Sequence, residues 1–86
     1  MNDGRRALEN LWKNRSEDAK LKFDLACREL REVERAISSG TAEESAYVYR
    51  NAVRAETAAL VEYARVLRAY TDLVAHGRIP DDEPRG

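Results

Sequence analysis

The corner Ser38-Ser39-Gly40-Thr41-Ala42-Glu43-Glu44 constrains this chain more than any other stretch. It ends one long helical pattern and opens another of similar length. Gly40 suits the left-handed residue just past a helix end, where a Cβ would clash. Thr41 suits an N-cap, its hydroxyl accepting from a first-turn N–H. Glu44 can reach back to the Thr41 N–H and close a capping box. Stop and start signals this close leave a very short loop. The sequence therefore predicts an all-α hairpin, with helices over 5–39 and 42–76 folded back antiparallel.

With 86 residues the chain is one small domain, and 36% charged residues with few aromatics is the composition of long helices. A net charge of −1 gives no overall pull toward nucleic acid or an anionic membrane, so any electrostatic role must come from a local patch. The longest apolar run, Ala58-Ala59-Leu60-Val61, falls far short of the ~20 residues of a membrane span. The segment Met1–Arg6 leads into charged sequence rather than a signal-peptide core. Cys27 is the only cysteine, which excludes an internal disulfide or a Cys-rich zinc site. The expectation is a cytoplasmic protein without a membrane segment.

Over 5–39 the residues Leu8, Leu11, Trp12, Ala19, Phe23, Ala26, Leu30, Val33 and Ile37 fall on one stripe at helical spacing. Arg15 and Lys22 lie along its edge, where long stems cover apolar surface and keep the charge wet. Leu21 and Leu25 sit one turn apart, away from the stripe. They are either scattered surface leucines or a patch for another chain.

The second helix is apolar around more of its circumference. One stripe holds Ala46, Tyr49, Val53, Thr57, Leu60, Ala64, Leu67, Thr71 and Val74. A second holds Val48, Ala52, Ala55, Ala59, Tyr63, Val66, Tyr70 and Leu73. The first stripe is expected to face the first helix, in a register where facing numbers sum to about 82. That register sets Phe23 against Leu60, Ala19 against Ala64 and Trp12 near Thr71. The second stripe is then left for self-association, two hairpins building a four-helix bundle. Glu56, at the edge of that face, is expected to pair with an Arg or Tyr of the second copy and fix the register.

Gly77 and Pro80 mark the end of the second helix, so 1–77 reads as the hairpin domain and 78–86, with its acids Asp81, Asp82 and Glu83, as a flexible acidic tail. Candidate chemistry is sparse. His76 with Asp72 makes only a two-ligand pair, short of the three or four a metal needs. Cys27 has no histidine near it in this register. No cofactor and no catalytic residue is expected. Arg50, Arg54, Arg65 and Arg68 form a strip on the second helix, read as an ordinary solvated face or as a track for a phosphate backbone. The leading expectation is a non-enzymatic interaction module: a homo-oligomer, dimer favoured, that presents a surface to another protein. The alternative is a small dimeric RNA- or DNA-binding regulator using the arginine strip.

Overall fold

A computed structural model of the chain describes residues 2–40 and 45–80. They form two helices, α1 (Asn2–Ser38) and α2 (Ser45–His76), packed against each other as an antiparallel hairpin. The fold class expected from the sequence is the one observed. Both helices run without interruption because neither holds a proline, and the one helical glycine, Gly4, lies in the first turn of α1, where it costs little. Helix α1 begins earlier than the expected residue 5. The expected N-cap Thr41 with Glu44, and the acidic run 81–83, lie outside the described residues.

Two left-handed glycines stop the helices. Gly40 has φ 74° and donates its N–H to Ile37 O at 3.0 Å, while Ser39 N–H reaches Arg35 O at 3.1 Å. Gly77 has φ 68° and donates to Leu73 O at 3.0 Å, and the next amide, Arg78 N–H, reaches Asp72 O at 3.2 Å. These bonds satisfy carbonyls that a helix end leaves open. They also turn the chain back along α2. From across the hairpin, Arg5 donates a second hydrogen to Leu73 O at 3.2 Å, and its Nε donates to Glu9 Oε2 at 3.1 Å. A cation in the first turn of α1 opposes that helix's own dipole. At the C-terminus of α2 it meets the favourable end of the neighbouring dipole.

The core is a single seam. Trp12, Ala19, Val66 and Leu73 are buried together, with Leu8, Tyr63, Ala69 and Tyr70 packed against them. Arg15 lies over the Trp12 ring, its guanidinium carbon 4.6 Å from the centroid, and shields that aromatic face. The molecule is a rod of 60 × 21 × 18 Å with a radius of gyration of 17.4 Å. A compact chain of this length would have a radius near ~12 Å. It exposes 6670 Å², whereas a compact chain of this mass exposes roughly 5,200 Å².

Candidate functional site

The seam identifies which face of α2 is occupied. Ala52, Glu56, Ala59, Tyr63, Val66, Tyr70 and Leu73 follow one another at alternating spacings of four and three, the pattern of a helix-packing seam, and all are buried or half-buried. Val66 and Leu73 retain only 3% and 1% of their exposure. The stripe expected to meet a second copy therefore meets α1 instead. This corrects the sequence reading for Ala52, Ala59, Tyr63, Val66, Tyr70 and Leu73. Val48 and Ala55, at the margin of the same stripe, remain exposed.

The register shifts with the face. Phe23 packs on Tyr63, with ring centroids 6.2 Å apart and planes at 25°, rather than on Leu60. Trp12 and Ala19 share their cluster with Val66 and Leu73, rather than with Thr71 and Ala64. The physical reason is bulk. Between residues 57 and 74 the seam stripe carries the aromatic Tyr63 and Tyr70 with Val66 and Leu73, whereas the competing stripe carries Leu60, Leu67 and Val74 interspersed with Thr57, Ala64 and Thr71. Burying the larger side chains removes more apolar area from water.

The stripe left outside is the candidate site. One position beyond the seam lies a column of Val53, Leu60, Leu67 and Val74, each a heptad from the next. Val53 is half-buried, but Leu60, Leu67 and Val74 keep 44%, 40% and 48% of their exposure. Beside them lie Thr57, Ala64 and Thr71, all exposed. On α1, Leu21 and Leu25 are exposed as expected, at 59% and 49%. Leu11, assigned to the α1 stripe, is exposed as well and lies in the same heptad column as Leu25.

The two patches lie on opposite sides of the rod. In antiparallel pairing, like-placed flanking columns share a side. Lys22 is close enough to Glu62 to help lower its carboxyl pKa, which puts those two columns together. Leu11 and Leu25 adjoin the Lys22 column. On the other side Cys27 approaches Glu56, and the Leu60–Leu67–Val74 column adjoins them.

Glu56 lies in the hairpin's own seam, its Oε2 3.9 Å from Cys27 Sγ. Partial burial, then the Glu56 carboxylate, push the Cys27 thiol pKa up, with Arg31 opposing. The thiol is thus held protonated and is a poor nucleophile. All four strip arginines, Arg50, Arg54, Arg65 and Arg68, are exposed. Arg65 grips Glu62 with two bonds of 3.1 and 2.7 Å. This pairing holds the Glu62 carboxyl pKa below its ordinary value and raises that of the Arg65 guanidinium. Arg65 and Arg68 also border an open groove of about 830 Å³ between α2 and the returning segment Arg78-Ile79-Pro80. The groove forms where the chain turns back after Gly77 and brings Ile79 and Pro80 beside α2.

His76 is exposed, and among the described residues no three His, Cys, Asp or Glu side chains gather as a metal site would require. No described helix is long and apolar enough to cross a membrane. Fold and faces together define an α-hairpin with uncovered apolar columns. No protein-family model, curated protein or solved structure matches the chain.

Proposed function

We propose that this chain is a non-enzymatic assembly module of the cytoplasm, a homo-oligomer of α-hairpins that presents a further surface to a protein partner. The observation that carries this reading is the exposed Leu60–Leu67–Val74 column beside a seam that is already filled. A two-helix rod buries little of itself, and contiguous apolar surface on a small protein marks contact with another chain. Self-association uses this column in place of the stripe that packs on α1. Leu11, Leu21 and Leu25, on the opposite side, are the surface left for the partner. Light scattering at micromolar concentration tests the reading: an assembly larger than one chain is expected, and a well-folded monomer rejects it.

The alternative is an RNA- or DNA-binding regulator. It is favoured by one observation, the exposure of Arg50, Arg54 and Arg68 along the outer surface of α2. It requires binding that weakens steeply with salt and is lost in the Arg54→Glu/Arg68→Glu variant. Absence of binding at low salt removes it.

A further inference from the structure

The groove on α2 has a direction. Its floor is the surface of α2 turned away from the seam, from Val61 past Ala64, Arg65 and Arg68 to Asp72. Its wall is the chain itself, which turns back after Gly77 and lays Ile79 and Pro80 beside the helix. Pro80 is half-buried there, while Ile79 and Val61 keep 71% and 62% of their exposure. The guanidiniums of Arg65, Arg68 and Arg78 line the groove, with the Asp72 carboxylate opposing them. Arg65 holds Glu62, whereas Arg68 and Arg78 make no ion pair among the described residues. Such an excess of cations beside apolar side chains suits an anionic segment.

Reach decides which anion. Three extended residues past Gly77 span about 10 Å, as much as roughly seven residues of helix, so Pro80 stands about level with residue 70. The groove continues beyond it to Val61, about 13 Å further at 1.5 Å per residue. Roughly four extended residues cover that length. Those that follow Pro80 in the sequence are Asp81, Asp82, Glu83 and Pro84, outside the described residues.

We infer that the occupant of the groove is this chain's own segment 81–84, docked along α2. Asp81, Asp82 and Glu83 then lie among Arg78, Arg68 and Arg65, and Pro84 reaches the exposed Val61. A directly attached segment has a high effective concentration, so exposed ion pairs that are individually weak suffice to hold it. The contact weakens with salt, because its charges face water. The segment covers Arg65 and Arg68, leaves Arg50 and Arg54 open, and competes with any polyanion that approaches the strip. The inference concerns the chain folded on itself and does not depend on the self-association proposed above.

A spin label at Gly86→Cys, in a Cys27→Ser background, tests the arrangement on the full chain with every charged side chain retained. At low salt the label should broaden the backbone amides of Val61, Ala64 and Arg65 more than those of Asp72 and His76, because docking carries it toward the middle of α2. At ~1 M salt, where the screening length is about 3 Å, that order should reverse and the broadening should fall nearest Pro80. Asp81→Asn/Asp82→Asn/Glu83→Gln should reverse it at low salt, and so should Arg68→Glu, both with helicity unchanged. Broadening strongest at Asp72 and His76 in the low-salt wild type would overturn the inference. A neutralised segment that keeps the wild-type pattern would also overturn it. Broadening at Val61 that fades on dilution would mean that the segment reaches a second copy, and would overturn the inference while leaving the proposed function standing.

Discussion

Phe23 and Tyr63 stack across the hairpin seam, with ring centroids 6.2 Å apart and an interplanar angle of 25°. The pair ties the middle of α1 to the middle of α2 and fixes both the rotation and the register of the second helix. Phe23→Ala should therefore cost about 2 kcal/mol, less than a fully buried Phe because the ring is half-exposed. Denaturant unfolding followed by circular dichroism reads this directly. Tyr63→Asp should unfold the hairpin itself, because it buries a charge beside Val66 and Trp12.

Leu73 and Leu67 form a matched contrast on one helix. Leu73→Ala should lower the stability of the fold by about 2–5 kcal/mol, since Leu73 is the most deeply buried large side chain. Leu67→Ala should change the stability of an isolated hairpin by less than about 0.5 kcal/mol, as for other exposed positions. Its effect should appear in association instead. Equal losses at the two positions in the dissociated chain would mean that both stripes pack within one hairpin.

The open end is closed by Arg5, which donates to Leu73 O at 3.2 Å and lies over Gly77. Arg5→Ala should cost about 1 kcal/mol, through the lost charged hydrogen bond and helix-end interaction. Gly77→Ala should also cost about 1 kcal/mol, because φ is 68° there, although an added Cβ would stand in ordinary contact with the Arg5 guanidinium at 3.7 Å. Amide exchange at Gly77 and Arg78 should quicken in both variants.

The general fold was legible in the sequence because its signals are local. Gly40 and Gly77 have positive φ in the structure as their positions in the pattern required, and the Trp12–Ala19–Ala26 line of α1 is buried. The choice between the two stripes of α2 was not legible in the same way. Both have helical spacing, and numbering back from the corner gave a register that favoured the stripe with Leu60 and Leu67. The stripe that packs on α1 is the one whose C-terminal half carries Tyr63, Val66, Tyr70 and Leu73, with the two tyrosines as its largest side chains. A periodicity argument does not weigh that. The groove beside Arg68 was hidden for another reason: it needs the turn that Arg78 N–H makes onto Asp72 O.

Cys27 gives a chemical readout of the seam. Its thiol pKa is raised by partial burial and by Glu56. Alkylation should be slow near neutral pH and accelerate only in alkaline solution. Glu56→Gln removes a carboxylate that opposes the thiolate, and should speed alkylation a few-fold at a fixed pH. The sign for stability follows. A group whose folded pKa is raised contributes fully below its unfolded pKa, so this contribution is lost as pH rises through the folded pKa of Cys27. Cys27→Ser should flatten stability in that alkaline range.

The Arg65–Glu62 pair should contribute little. Both side chains are about half-exposed, at 48% and 52%, and such pairs are worth at most about 1 kcal/mol. Because the Glu62 carboxyl pKa is depressed, that contribution is present above the unfolded carboxylate pKa and lost as pH falls through the folded one. Glu62→Gln should remove this acid dependence and change the neutral-pH melting temperature only slightly.

Sedimentation equilibrium across micromolar concentrations tests most directly whether a second copy covers α2. The wild-type chain should sediment at twice its mass of 9.8 kDa, and Leu60→Glu/Leu67→Glu at the single-chain mass with its helices intact. A wild type that stays at the single-chain mass throughout, fully helical, would contradict the account.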